Sequence, residues 1–193
     1  MISQIPNFLT LLRIGATPVL VLLLNDREYD VALLLFVLAG LSDGLDGYIA
    51  KRFGFVTRLG AILDPLADKM LIISTYIMLT VLGDIPFWLM VTVGFRDVLI
   101  VGGYLVLVSL DGDVDMHPSI VSKINTCMQL ALVIIMLAHK AELWSLPLLI
   151  NVTIAAVFAT TVLSGAHYVW VWGIRRASNA APERPVTERP QRG

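Results

Sequence analysis

Four aspartates stand within otherwise apolar stretches in the first half of the chain. Asp43 and Asp46 are three residues apart, and Asp64 and Asp68 are four apart, so each pair would share one face of a helix. A carboxylate at the centre of a membrane helix costs about 2.5–3.5 kcal/mol unless it is paired, hydrated or bound to a cation. A single pair could be a polar contact between helices, but four carboxylates at these spacings indicate a functional site.

The residue types around these aspartates indicate which ligand they would bind. Carboxylate oxygens suit hard divalent cations such as Mg²⁺ or Mn²⁺, and no His or Cys stands nearby to suggest zinc. Two such ions about 3.5–4 Å apart suit displacement at a phosphorus. Gly47 and Gly60 would let a nucleotide approach the helix backbones, while Lys51 and Arg52 offer positive charge to a diphosphate.

The composition indicates that these residues belong to a membrane protein. Of 193 residues, 57% are hydrophobic and 15% charged, and the mean hydropathy is +0.80, whereas soluble domains carry roughly a quarter charged residues. The net charge of −1 gives no indication of a nucleic-acid partner. Apolar segments of about 20 residues, each long enough to cross a bilayer core, recur along the chain. We expect an all-α bundle of six transmembrane helices.

The expected membrane domain covers residues 1–177, and the Pro-, Glu- and Arg-rich residues 178–193 are expected to form a disordered cytoplasmic tail. A short basic loop joins the second and third spans, so these two helices should be antiparallel and bring the four carboxylates together near the cytoplasmic surface. The six predicted spans are Phe8–Leu24, Asp30–Ala50, Leu59–Leu82, Pro86–Val108, Ile120–Ala138 and Leu146–Trp172.

The distribution of Lys and Arg predicts the orientation. With a cytoplasmic N-terminus, nine of them fall in cytoplasmic segments and two, Arg27 and Lys140, outside, as the positive-inside rule requires. Met1 to Asn7 contains no Lys or Arg, which argues against a secretory signal or an organellar presequence. We therefore expect a multi-pass protein of a bacterial inner membrane, with both termini cytoplasmic.

The aspartate segment resembles the signature of the CDP-alcohol phosphatidyltransferase family, D-x2-D-G-x2-A-R-x8-G-x3-D-x3-D. Its fixed positions fall here on Asp43, Asp46, Gly47, Ala50, Lys51, Gly60, Asp64 and Asp68, with every spacing matched. One position departs, because Lys51 stands where the family has Arg. Lys keeps the charge but lacks the forked geometry that contacts two phosphate oxygens, so Arg52 is expected to share this task.

The resemblance implies a six-helix fold, usually a homodimer, with the active site at the cytoplasmic ends of helices 2 and 3. It implies that two Mg²⁺ or Mn²⁺ ions are bound by Asp43, Asp46, Asp64 and Asp68, with Asp68 also the general base. Gly47, Ala50, Lys51 and Gly60 would line a CDP-activated lipid such as CDP-diacylglycerol, from which CMP leaves. Thr10 and Arg13 of the first span are expected to border this pocket.

Two later segments bear on the acceptor. They are Phe95-Arg-Asp-Val98 and Ser122-Lys-Ile-Asn-Thr126, and they look like the eukaryotic-type cardiolipin synthases. The earlier segments Ile5–Arg13 and Leu63–Lys69 look like the cardiolipin synthases and the phosphatidylglycerophosphate synthases alike. Glycerol 3-phosphate carries a dianionic phosphate and needs several cations, and Asn125 stands where the latter branch has a second Lys. These features favour phosphatidylglycerol as acceptor, with glycerol 3-phosphate as the alternative.

Arg96, Lys123 and Arg13 are the candidate acceptor-binding residues. Arg96 could equally form a structural ion pair with Asp97 or with a member of the acidic cluster, and Lys69 could either neutralise that cluster or meet substrate. Cys127 is the single cysteine, and its apolar setting favours a buried packing role.

Two other classes of protein also use membrane-embedded acidic residues. Intramembrane prenyltransferases place their Asp-rich motifs far apart in the chain, unlike Asp46 and Asp64. A cation transporter would more often show charges at the membrane midplane, broken helices and an internal repeat. Both alternatives are therefore less favoured than the lipid transferase.

Overall fold

The described residues form six α-helices and no strand. In this computed structural model the backbone is described for residues 5–53, 58–111, 120–145 and 147–179, and side chains for residues 10–42, 67, 69–103, 106, 109, 120–145 and 147–171. The helices are α1 (Ile5–Asn25), α2 (Tyr29–Phe53), α3 (Arg58–Val81), α4 (Phe87–Asp111), α5 (Ile120–Lys140) and α6 (Pro147–Asn179). The predicted all-α class is thus confirmed for these residues, and α6 continues past the predicted domain boundary at residue 177.

Three loops meet at one end of the bundle. The Tyr29 hydroxyl at the start of α2 donates to Asp84 Oδ2 just after α3, at 3.2 Å, and Lys140 at the end of α5 pairs with Asp84 Oδ1. The starts of the even-numbered helices α2 and α4 therefore lie beside the ends of α3 and α5, so neighbouring helices run antiparallel. We call this end the capped end, and the opposite end, where α2 ends and α3 begins, the aspartate end.

The backbone at the capped end closes three helices in the same way. Arg27 (φ 61°), Gly83 (φ 80°) and Glu142 (φ 57°) adopt left-handed conformations directly after α1, α3 and α5. In each case the next residue's N–H donates to the carbonyl five residues back, at 2.9 Å for Glu28, 2.8 Å for Asp84 and 3.1 Å for Leu143. These are Schellman caps, which satisfy carbonyls that a helix end leaves unpaired.

The buried core changes character along the bundle. Toward the capped end it is apolar, and toward the aspartate end it is polar. The apolar half includes Leu20, Leu24, Leu79, Ile85, Leu89 and Leu137, and the polar half includes Thr10, Arg13, Thr17, Arg96, Asp97, Asn125, Gln129, Thr161 and Ser164. Because a buried polar group is costly without a partner, the polar half requires a structural or functional reason.

The outer surface is apolar, as expected for a bundle surrounded by lipid. Large hydrophobic side chains are exposed on all six helices, among them Leu22, Leu34, Val81, Val98 and Leu163. A contiguous apolar surface of this kind is unusual on a soluble monomer. Cys127 also lies on this outer face of α5, so the prediction that it is buried was wrong: its position on the helix turns it away from α6.

Two helical stretches of the described chain, Ile120–Lys140 and Pro147–Val171, are long and apolar enough to cross a membrane. Shorter apolar stretches occur at Thr10–Asn25, Tyr29–Ser42 and Lys69–Val81. A membrane location agrees with these features, and six membrane crossings stay a prediction.

Candidate active site

The helix register places the two predicted aspartate pairs at the same level. Counted from the capped end at 1.5 Å per residue, the backbone of Asp43 on α2 and of Asp68 on α3 lies about 20–21 Å along the bundle. The backbone of Asp46 and of Asp64 lies about 25 Å along it. Because α2 and α3 are antiparallel neighbours, the four backbone positions form two matched levels.

The side chains of several predicted site residues lie outside the described part of the structure. They are those of Asp43, Asp46, Gly47, Ala50, Lys51, Arg52, Gly60, Asp64 and Asp68, and only their helical backbone is described. Among the side chains that are described, no group of three or more His, Cys, Asp or Glu is arranged to hold a metal ion. The predicted metal and nucleotide contacts therefore stay predictions.

Arg96 is the centre of the polar half of the core. Its guanidinium donates from Nε and Nη2 to Ser164 Oγ on α6, at 3.1 and 2.7 Å, and from Nη2 to Ser122 Oγ on α5, at 2.5 Å. Its Nη1 donates to Asp97 Oδ1 at 3.0 Å. One buried side chain on α4 thus joins α4 to α5 and α6 through a fork geometry that lysine lacks.

Asp97 extends this network to α3. Its second oxygen, Oδ2, lies 2.5 Å from Lys69 Nζ, and Lys69 directly follows Asp68 in the chain. The structure therefore shows the ion pair between Arg96 and Asp97 that the sequence left as one of two alternatives. It also shows that Lys69, at the edge of the aspartate segment, has Asp97 as its counter-charge.

The other candidates for substrate contact lie in two different environments. Thr10 and Arg13 on α1 are buried in the polar half of the core, and the Thr17 hydroxyl donates to the Arg13 carbonyl at 3.1 Å. Lys123, in contrast, is exposed in the first turns of α5. The structure thus brings Arg13 and Arg96 into the bundle interior and leaves Lys123 at its surface near the aspartate end.

A sequence model of the CDP-alcohol phosphatidyltransferase family matches residues 3–171 of this chain. This range includes the four aspartates on α2 and α3 and the buried arginines on α1 and α4. The chain belongs to this family. The match confirms the resemblance seen in the aspartate signature.

CDP-alcohol phosphatidyltransferases of two kinds are similar to this chain. A cardiolipin synthase (CMP-forming) of Rattus norvegicus is 35% identical over 180 residues, covering 85% of this chain and 60% of the relative. The corresponding human protein is 38% identical over 150 residues, covering 69% and 50%. A CDP-diacylglycerol–glycerol-3-phosphate 3-phosphatidyltransferase of Bacillus subtilis is 31% identical over 193 residues, covering 91% and 99%. The chain thus spans 50–60% of the length of the two mammalian relatives.

Several contacts of this site were not predicted from the sequence. Asp97 was considered only as a partner of Arg96, yet its contact with Lys69 carried a usable signal, because a carboxylate inside an apolar helix requires a partner. Ser164 and Gln129 carried none, since single serines and glutamines are common in membrane helices. Their roles depend on which helices meet, and this is decided by the packing.

Proposed function

We propose that this phosphatidyltransferase transfers the phosphatidyl group of CDP-diacylglycerol to a hydroxyl of phosphatidylglycerol, forming cardiolipin. The acceptor oxygen attacks the phosphorus that bears the lipid, and the bond from that phosphorus to the oxygen of CMP breaks. CMP leaves with the bonding electron pair, and the hydroxyl proton passes to the Asp68 carboxylate. Glycerol 3-phosphate is the alternative acceptor, as the name of the Bacillus subtilis relative suggests.

The observation that carries the choice of acceptor is the pairing of Arg96 and Lys69. The two cations share the single Asp97 carboxylate, so these three groups together keep one positive charge, and two serine hydroxyls accept further Arg96 hydrogen bonds. A dianionic phosphate requires more than one uncompensated positive charge. Phosphatidylglycerol brings one negative charge, which the single excess positive charge can match, and an uncharged glycerol, which suits the serine, threonine and amide groups of the polar half of the core.

The metal requirement is a proposal that rests on the aspartate backbone register. Asp43, Asp46, Asp64 and Asp68 would bind two Mg²⁺ or Mn²⁺ ions, because carboxylates at two matched levels of adjacent helices supply the all-oxygen ligand set that these ions prefer. Bound ions would offset the diphosphate charge. The protein's own part is to place the acceptor hydroxyl near Asp68 and to exclude water from it.

Orientation and assembly belong to the same proposal. The aspartate end would face the cytoplasm, since the basic residues at that end outnumber those at the capped end. We propose a bacterial inner membrane as the location and a homodimer as the assembly. Gly47, Ala50, Lys51, Arg52, Gly60 and Thr10 would contact the CDP-lipid.

The test uses purified protein in mixed detergent–lipid micelles with CDP-diacylglycerol and Mg²⁺ or Mn²⁺. Phosphatidylglycerol and glycerol 3-phosphate are supplied separately, and CMP and the lipid products are followed, with Asp68→Asn as the inactive control. Cardiolipin formed from phosphatidylglycerol supports the proposal. Product with glycerol 3-phosphate alone replaces the acceptor, and absence of CMP with either acceptor refutes the transferase.

A further inference from the structure

Two buried amides on α5 have nitrogen atoms without a hydrogen-bond partner. Asn125 is 0% exposed and Gln129 is 1% exposed, and neither Asn125 Nδ2 nor Gln129 Nε2 meets an acceptor. The two residues are four apart in a helix, so they lie on one face. A buried donor left unmatched costs about 1–3 kcal/mol, and two on one face are therefore unexpected in a purely structural role.

The neighbouring groups orient the first of these amides. Asn125 Oδ1 lies 2.9 Å from the hydroxyls of both Thr160 and Thr161 on α6. The single Thr160 proton is shared with the Ala156 carbonyl, also at 2.9 Å, so Thr161 is the donor that matches Oδ1, and Nδ2 stays unmatched. The Gln129 backbone carbonyl accepts from the Tyr76 hydroxyl of α3 at 3.4 Å, which fixes this turn of α5 against α3.

The level of these amides matches that of the aspartates. Counted from the capped end, Asn125 lies about 22 Å and Gln129 about 16 Å along the bundle, against about 20–25 Å for the four aspartates on α2 and α3. α5 packs against both α2 and α3. Two unmatched neutral donors thus lie close to the level at which the acceptor hydroxyl must react.

We propose that Asn125 and Gln129 are specificity-determining residues that bind the secondary hydroxyl beside the attacking hydroxyl of a glycerol unit. This inference rests on the proposed function and deepens it. A neutral amide N–H matches a neutral hydroxyl oxygen, and a site with buried donors rejects an analogue that lacks the group they bind. The same vicinal diol occurs in phosphatidylglycerol and in glycerol 3-phosphate, and the experiment separates these two sources.

The experiment compares each acceptor with its deoxy analogue. Phosphatidylglycerol is compared with phosphatidyl-1,3-propanediol, and glycerol 3-phosphate with 3-hydroxypropyl phosphate. Each analogue keeps the primary hydroxyl and lacks the secondary one. We expect the wild-type protein to prefer the diol by roughly 5–10-fold in kcat/KM, the effect of one hydrogen bond, in the lipid pair. If only glycerol 3-phosphate is preferred over its deoxy analogue, the diol site stands, but its natural occupant is glycerol 3-phosphate and not phosphatidylglycerol.

Substitutions of the two amide residues test whether they cause this preference for the diol. Gln129→Met keeps the side-chain length and removes one donor, and Asn125→Leu removes the other. Each variant should lower the ratio, and the double variant should bring it close to one, without a similar change in the KM for CDP-diacylglycerol. Cys127→Ser, on the outer face of the same helix, is the matched control and should keep the wild-type ratio.

Three outcomes would overturn the inference or its basis. Equal use of diol and deoxy acceptors by the wild type, or a wild-type ratio retained in both variants, overturns the amide site. A variant that loses kcat/KM equally with the diol and with its deoxy analogue also leaves the ratio unchanged. That result would give the amides a structural role only. Absence of CMP release with all four acceptors is instead the failure of the proposed function. If Asn125→Leu does not fold, the wild-type ratio and Gln129→Met still decide.

Discussion

The Asp97 carboxylate on α4 and the Lys69 ammonium on α3 form an ion pair, with 2.5 Å between Oδ2 and Nζ. The side chain of Lys69 is 35% exposed and that of Asp97 is 9% exposed, so the pair lies at the border of the buried polar half of the core. Because Lys69 follows Asp68, this contact fixes the turn of α3 that carries the proposed general base. Asp97 is therefore a positioning residue in our interpretation.

Asp97→Asn should destabilise the protein, because it leaves Arg96 and Lys69 without their shared counter-charge. Loss of one partner of a buried ion pair costs about 3–5 kcal/mol, and the partial exposure of Lys69 reduces its part. We expect about 2 kcal/mol, which corresponds to roughly 4–8 °C in Tm for a chain of this size. Thermal unfolding in detergent measures this change.

A double-mutant cycle separates the pair from general damage. Lys69→Gln leaves Asp97 paired with Arg96 and should be milder, and the Asp97→Asn/Lys69→Gln protein should be less destabilised than the sum of the single changes. Additive losses would show that the ion pair does not couple α3 to α4.

Arg96→Lys should lower the Tm and leave the KM for the acceptor close to the wild-type value. Lysine keeps the charge but cannot donate simultaneously to Asp97, Ser122 and Ser164. Ser164→Ala, which removes the acceptor of two of these hydrogen bonds, should cost about 1–2 kcal/mol in the free energy of unfolding. A rise in acceptor KM without a change in Tm would instead assign Arg96 to the acceptor site, as the sequence suggested.

Substitutions in the Schellman caps at the capped end should change the free energy of unfolding and not the activity. Gly83→Ala should destabilise by about 1 kcal/mol, because an L-residue is strained at this φ. Glu142→Gly, at the equivalent position after α5, should be neutral or slightly stabilising, since it relieves the same strain. A lower Tm for Gly83→Ala and no loss of Tm for Glu142→Gly, measured by thermal unfolding, are the expected result; a stabilising Gly83→Ala would contradict the cap assignment.

Tyr29 at the capped end predicts a pH effect. Burial, followed by the negative charge and hydrogen bond of Asp84, raises the pKa of Tyr29 above 10. The folded state therefore retains the phenol proton more tightly, so its contribution to stability is complete below about pH 10 and is lost as the pH rises through the raised value. Tyr29→Phe should remove this loss at high pH.

The same variant is a control for the site. Tyr29→Phe should cost about 1 kcal/mol through the lost hydrogen bond while CMP release stays at the wild-type rate, because the capped end is remote from the aspartates. A large loss of activity in a protein with near-normal Tm would place function at the capped end as well.

Removal of divalent cations tests the aspartate site. EDTA should abolish CMP release, and added Mg²⁺ or Mn²⁺ should restore it, if the carboxylates act through bound ions. Asp43→Asn and Asp64→Asn should require higher metal concentrations or stay inactive at all of them. Activity that is unchanged by EDTA would refute the metal proposal.

The sequence by itself determined the family, the helical class and the four aspartate positions. Apolar segments separated by turn residues define helices wherever they pack, and eight fixed positions over 26 residues are readable without knowledge of any contact. The antiparallel pairing of α2 and α3 also followed from the short loop between them, and the Tyr29–Asp84 contact agrees with it.

Only the tertiary structure decided which partners the buried polar residues take. The sequence left open whether Arg96 binds the acceptor or forms an ion pair with Asp97 or the acidic cluster. It gave no indication that Ser164 on α6 would accept two of its hydrogen bonds. The unmatched nitrogens of Asn125 and Gln129 were equally invisible. The physical reason is that hydrogen bonds between helices depend on how each helix is rotated about its axis, and this rotation is fixed by packing across the whole bundle.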